Sequence, residues 1–248
     1  MATVLSGTSG ALYYTPAGTS VTTLVATAFP ATGSNITVGS YLGFKVNDPV
    51  TLAYPAGATT TNAIAAGAYF VKTYNASTGI MTISSTAGGA AATATAQPSG
   101  FGANYASITY TAPAVVGSVR EWSFEITRSE IDVTTIGQEA GQYAPFRSYI
   151  TGFADGSGSA TVYTTDDDTT LSSRMIEDVI QATQAGASMK LYIDRIIASG
   201  TVNDTTSRSI TVPVILTSAS LSVNPDDGQS VEIAFRPSAA PTFDLSKS

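Results

Sequence analysis

Residues 119–165 constrain the fold more than any other part of this 248-residue chain. Trp122, Phe124 and Ile126 alternate with Glu121, Ser123, Glu125 and Thr127, the period of two that belongs to a half-buried antiparallel strand. Residues 131–150 then form a polar excursion carrying Asp132, Thr134, Thr135, Gly137, Gly141 and Pro145. A second, short alternating run arrives through Gly156-Ser157-Gly158. Two strands of one sheet are therefore expected on either side of a loop far longer than a hairpin needs, and loops of that length are usually functional or disordered.

Downstream lies one helix. Leu171, Met175, Ile176, Val179 and Ile180 recur on one helical face. Asp166, Asp167 and Asp168 stand where a helix N-terminus favours carboxylates, and Gly186 stands as its closing glycine. Met189, Leu191 and Ile193 alternate with Lys190, Tyr192 and Asp194, which predicts a strand with one buried face. Residues 209–223 predict a long strand with Ile210, Val212, Val214 and Leu216 inward. A bulge near Thr217 would bring Ala219, Leu221 and Val223 to the same face. Pro213 within it predicts an edge strand or a bulge. The turn phrase from Asn224 to Gly228 leads into a returning strand with Val231, Ile233 and Phe235 inward.

Residues 18–112 differ in composition. They carry only Lys45, Asp48 and Lys72, a net +1, whereas residues 119–248 carry nine basic and seventeen acidic residues, a net −8. Strands are predicted over 20–26, 48–53, 68–74 and 79–85, the last two joined by Asn75-Ala76-Ser77-Thr78-Gly79 as a hairpin loop. Residues 88–102 read as an Ala/Thr/Gly/Pro return loop. The stretch is either a module of its own or an Ala/Thr-rich linker inside one continuous domain. At the start, Ala11-Leu12-Tyr13-Tyr14 predicts a short strand. The glycines before it mark either an arm or a frayed terminus, and residues 237–248 with Phe243 look equally arm-like.

The chain has no His and no Cys. That removes the commonest catalytic bases, nucleophiles and transition-metal ligands, and excludes a Ser-His-Asp site or a His-based zinc site. Glu121, Glu125, Glu130, Asp132 and Glu139 supply carboxylates of the kind a glycosidase uses, with no apolar pocket signalled around them. The Asp166–Asp168 run and Asp226-Asp227-Gly228 lack the spaced pattern of a calcium loop; a helix cap and a turn explain them more simply. A net charge of −7 argues against nucleic-acid binding by charge attraction. No window is apolar enough to span a membrane, and Met1–Leu5 has no export signal. No catalytic, cofactor or metal site is expected.

The strand with Trp122 and Phe124, the phrase Glu130-Ile131-Asp132-Val133-Thr134-Thr135, the aromatic-Arg segment 143–147, the Gly-Ser-Gly-Ser strand entry, the Asp helix opening and the terminal hairpin follow one another in order. In that order they resemble the major tail tube proteins of long-tailed, siphovirus-like bacteriophages. The likeness covers residues 119–237 and also 5–16. Within 18–112, the turn Asn47-Asp48-Pro49-Val50, the Tyr-rich hairpin and the Gly-Gly-Ala tail resemble small β modules of phage tail and fibre proteins.

The resemblance implies a mainly β fold: a tail-tube-type β-sandwich or barrel with one flanking α-helix, plus a small inserted all-β domain. Residues 1–17 would be an arm and first strand, 18–112 an inserted module decorating the exterior, and 113–248 the tube domain with a C-terminal arm. The implied role is a structural virion protein, made in the bacterial host cytoplasm, whose rings, expected to be hexameric, stack into a channel. Its partners would be copies of itself, a tape measure protein and other tail proteins. Genomic DNA would pass through the lumen without specific binding. Glu121 and Glu125 are the candidate lumen-facing residues. Asp132, Tyr143, Phe146, Arg147 and Tyr149 are the candidate inter-subunit loop, because aromatic and Arg residues are enriched at interfaces. Other readings are a tail terminator, a distal tail protein, or a carbohydrate-binding β module using Tyr41, Tyr54, Tyr69 and Tyr74.

Overall fold

The computed structural model describes residues 9–101, 104–111, 114–116, 118–134, 147–163, 171–181, 184–223 and 229–245. Among these residues the fold is mainly β, with two large curled antiparallel sheets and one α-helix. In chain order the strands are β1 (Ala11–Thr15), β2 (Ser20–Leu24), β3 (Ile36–Thr37), β4 (Pro49–Ala53), β5 (Gly67–Asn75), β6 (Ile80–Ser84) and β7 (Ala106–Tyr110). There follow β8 (Ala114–Val115), β9 (Ser118–Asp132), β10 (Tyr149–Tyr163), helix α1 (Leu171–Val179) and β11 (Ser188–Asp194). The chain continues with β12 (Ile197–Ala198), β13 (Thr201–Val202), β14 (Arg208–Ser222), β15 (Ser230–Pro237) and β16 (Thr242–Asp244).

The eight-stranded sheet runs β8-β1-β11-β14-β15-β10-β9, with β16 on β14; β12 and β13 form a separate hairpin. Its core holds Leu12, Tyr14, Ala160, Val162, Met175, Met189, Leu191, Val212, Val214, Val231, Ile233 and Phe235, with Trp122, Phe124, Ile176 and Val179 packed against it. The alternation in β11, β14 and β15 arises because each strand gives this core every second residue. The bulge expected near Thr217 lies between Leu216 and Ser218, so Ala219 returns to the core side. Leu221 beyond it is exposed.

The six-stranded sheet, order β2-β7-β4-β5-β6-β3, closes a second core of Leu24, Phe29, Ile36, Val50, Leu52, Val71, Met81, Ile83, Ala106 and Ile108. The Asn75–Gly79 hairpin forms as expected. Asn75 Oδ1 accepts the Ser77 and Thr78 amides at 3.1 and 3.2 Å. Gly79 has φ +68 and backs onto Gly39, so both its conformation and its space require glycine. Strand β7 falls just after the expected return loop, and it carried no signal strong enough to be read.

Several expectations are corrected. The excursion predicted over 131–150 is shorter, because β9 continues to Asp132 and β10 begins at Tyr149. The second strand is not short: β9 and β10 are each 15 residues long. Around Pro213 β14 is central rather than an edge. Pro213 sits where its neighbour on one side changes from β16, paired with Ser209–Thr211, to β15, paired from Val214. Its carbonyl accepts Ser238 N–H on that side, so its missing N–H falls in the gap between the two partners. The helix ends at Val179, seven residues before Gly186, and Ile180 is 84% exposed instead of sharing the buried face. Within the C-terminal segment, Thr242–Asp244 docks as β16. The Asp166–Asp168 cap, the Asn224–Gly228 turn and residues 1–8 lie outside the described residues.

Candidate assembly surfaces

The long ribbon β9–β10 has two faces with different partners. On one, Trp122 lies opposite Ala160 and Ile233, while Phe124 lies opposite Gly158 and Phe235. The Phe124 and Phe235 rings stack at 6.2 Å between centroids. Gly158 makes this possible, since a Cβ there would lie 2.3 Å from Phe235 Cζ. Helix α1 packs on this same side through Met175.

The opposite face is open and built in rows. Glu121 aligns with Thr161, Glu232 and Ser220; Ser123 aligns with Ser159, Ala234 and Ser218. Glu125 aligns with Ser157. The Ser123 and Ser159 hydroxyls bond to each other at 3.0 Å. Asp155 meets Arg236 at 3.8 Å. Glu121 and Glu125 are exposed here, with Glu232 as a third carboxylate that was not anticipated. The result is a surface of short hydroxyl side chains and scattered carboxylates.

This part of the sheet also has open edges. β9 is an end strand, and among the described residues nothing pairs its outer side. On β14, Gln184 satisfies both backbone groups of Leu216, at 2.6 and 3.0 Å. Beyond it, residues 217–222 have β15 on one side and no described strand on the other. An open strand edge is a template for another strand.

Past Gly158 the ribbon loses β15 and continues as two strands alone, which are marginal in water without further packing. Ile126, Ile131, Val133, Tyr149 and Ile150 are about half-exposed there, and Phe153 is 91% exposed. An apolar cleft of about 360 Å³ opens at its base between Ile126, Gly156, Pro237 and Pro241. Of the candidate loop residues, Asp132 and Tyr149 pair as the last rung of the ribbon. Asp132 accepts Thr134 N–H at 2.9 Å and the Thr134 hydroxyl at 2.5 Å, which holds its carboxyl below the usual range. Arg147 reaches the other Asp132 oxygen at 3.7 Å. Thr134 Oγ1 accepts Ser148 N–H at 2.9 Å. These contacts continue the hairpin into the loop stem. Tyr143 and Phe146 lie outside the described residues.

A second cluster went unread in the sequence. Arg174 and Asp178, one turn apart on α1, are 3% and 0% exposed in their side chains. Arg174 reaches Asp48 Oδ2 at 3.3 Å and donates to Gly43 O. Asp178 accepts the Tyr14 hydroxyl at 2.5 Å and Ala17 N–H at 3.2 Å. Lys45 pairs with Glu177. Burial raises the Asp48 carboxyl, with Arg174 pulling the other way. Burial and the Asp178 charge raise the Tyr14 hydroxyl. The only sequence signal was a pair of opposite charges four apart beside an apolar helical stripe.

The four tyrosines are mostly occupied. Tyr54 donates to Ile64 O, Tyr69 to Ala65 O and Tyr74 to Gly39 O, at 2.7, 2.9 and 2.8 Å. Tyr41 alone stands out, 83% exposed. Among the described residues no group of three or more acidic side chains could hold a metal ion, and Asp226 and Asp227 lie outside them.

Among the described residues, the open strand edges, the apolar two-stranded ribbon and the hydroxyl-coated face are the surfaces left available to another chain. No protein-family model and no curated protein matches the chain. Solved structures similar to it include a chain in the virion of a native gene transfer agent particle, 17% identical, covering 54% of this chain and 89% of that one, at a TM-score of 0.40. Another is from the tail of an empty gene transfer agent particle computed with C6 symmetry, 18% identical, covering 54% and 87%, at 0.38. A third is the SPP1 tail tube, 12% identical, covering 55% and 71%, at 0.33.

Proposed function

We propose that this chain is the tube subunit of a phage-type tail, assembling by itself into rings that stack around a channel. The observation that carries the reading is the four-stranded stretch β14-β15-β10-β9. It has an open edge on each side and a face of small hydroxyl and acidic residues. Pairing the β9 edge of one copy with the open part of β14 in the next is a head-to-tail contact, which generates a ring when the rotation closes. Six copies is the stoichiometry we favour. The hydroxyl and carboxylate face, with Glu121, Glu125 and Glu232, then lines the channel, and a DNA polyanion meets no cationic stripe to adhere to. The ribbon and its loop stem, with Asp132, Arg147, Tyr149 and Phe153, reach the neighbouring ring. Residues 18–112 form an inserted module on the outside. A tape measure protein within the channel, and synthesis in a bacterial cytoplasm before incorporation in a virion, belong to the same reading.

Negative-stain electron microscopy across a concentration series tests it. Rings or tubes with a central hole are expected. Single subunits at every concentration would count against assembly through these edges.

A further inference from the structure

The loop that leads into β4, residues 43–48, ties the six-stranded sheet to helix α1 through an unusual concentration of charge. Residues 18–112 contain three charged side chains, and two of them, Lys45 and Asp48, stand at this joint. Their partners Glu177 and Arg174 are on α1. Arg174 and Asp178 divide the work. Arg174 holds the six-stranded sheet through Gly43 O and Asp48, while Asp178 holds β1 and the connection after it through Tyr14 and Ala17.

The backbones also close up here. Gly18 N–H donates to Ala185 O and Gly43 N–H to Gly18 O, both at 3.0 Å. A Cβ on Gly43 would lie 1.9 Å from Ala17 O. Among the described residues none belongs to both hydrophobic cores, so no shared apolar packing between them is seen at this point. A buried ion pair adds little net stability against a well-packed apolar substitute, and its best-attested use is to select one geometry. Arginine suits that use, because two nitrogens of its planar fork reach Asp48 and Gly43 O separately and from fixed directions, whereas a lysine has one flexible nitrogen for both.

We propose that Arg174 is a latch that sets the orientation of the six-stranded sheet on helix α1. Without it, the six-stranded sheet changes its angle to helix α1 while both sheets stay folded. The latch operates whether the chain is alone or assembled.

The test uses the full chain in dilute solution. There is no native cysteine, so spin labels placed at Thr73→Cys and Thr127→Cys report one distance between the sheets. A single narrow distance distribution is expected with Arg174 present. Arg174→Met should broaden it and raise hydrogen exchange at the Gly18 and Gly43 amides at least tenfold, with Val71 and Leu191 amides unchanged. Arg174→Lys keeps the charge and loses the fork, so it should broaden the distribution partway while the chain stays folded. Unchanged distances and amide protection in a folded variant would overturn the latch. So would loss of both sheets in both variants, which would make Arg174 a general stability residue.

Discussion

Phe153 separates folding from assembly more cleanly than any other residue. It is 91% exposed on the part of the ribbon that has only two strands, so its ring gives the isolated subunit almost nothing. Phe153→Ser should therefore change folding stability by no more than about 0.5 kcal/mol, the usual range for a surface site. If assembly covers that ring, the same substitution removes about 1.5–3 kcal/mol from each contact. At about 1.4 kcal/mol per tenfold, the concentration at which tubes appear should rise by about 10- to 150-fold. Thermal unfolding of dilute protein gives the first quantity, and pelleting across a concentration series gives the second. An unmoved threshold with an unmoved melting temperature would show that Phe153 stays in water after assembly. A large fall in melting temperature would refute the geometry itself, because the ring would have to be packed inside its own subunit.

Other predictions follow from the same contacts. Gly158→Ala presses a methyl group onto Phe235 and should cost about 1–3 kcal/mol in denaturant unfolding; a change below about 0.5 kcal/mol would mean that the Phe124–Phe235 stack is free to shift. Leu191→Ala, at a fully buried site, should cost about 2–5 kcal/mol and leave the concentration threshold for tubes unchanged relative to the folded fraction. In the proposed tube, Glu121→Lys with Glu125→Lys should leave stability unchanged and make pelleted tubes retain DNA in a salt-dependent way; no retention would remove these residues from the proposed channel wall.

The alternation rule read this chain where one face of a strand is buried and failed where neither or both are. β11, the first half of β14 and β15 were legible because Met189, Val212 and Ile233 enter a core while their neighbours do not. The outermost rungs of the ribbon, residues 131–132 and 149–150, fall inside the expected loop because, among the described residues, no third strand or helix covers either face beyond Gly158. Ile131 and Ile150, opposite each other, are therefore both half-exposed, and the period of two dissolves. β7 was missed for another reason. Ala106 is fully buried, yet so small a residue hardly raises the local apolar pattern after an Ala/Thr-rich stretch. Pro213 misled because a proline excludes a central strand only where its N–H is needed, and here the partner changes at that point. Of the candidate surfaces, the open carboxylate face with Glu121 and Glu125 was readable from parity alone. The Arg174 joint was not, since Asp48 is 126 residues away in the chain and no local pattern links the two.

That joint makes a pH prediction whose sign is opposite to ordinary acid denaturation. Asp48 faces Arg174, Lys45 and Tyr110, and burial outweighs the attraction of Arg174, so its carboxyl titrates above its ordinary value. The folded chain then binds this proton more tightly than the unfolded chain does. The stabilisation linked to it is fully present below the ordinary carboxylate range and is lost as pH rises through the raised value. Asp204 works in the other sense: hydrogen bonds from Lys190 and Tyr192 hold it below its ordinary value, so its contribution is lost only as pH falls through that depressed value. Mild acidification from neutrality should thus stabilise the joint first, and the Asp204 contribution should fade at lower pH. Asp48→Asn should remove the first phase, leaving unfolding free energy flat between neutral pH and the ordinary carboxylate range, while Arg174 keeps Gly43 O and Asp178. If wild-type stability instead falls steadily with acidification over that interval and Asp48→Asn abolishes the fall, the charge attraction at Arg174 exceeds the cost of burial. The joint would then be an ordinary stabilising ion pair.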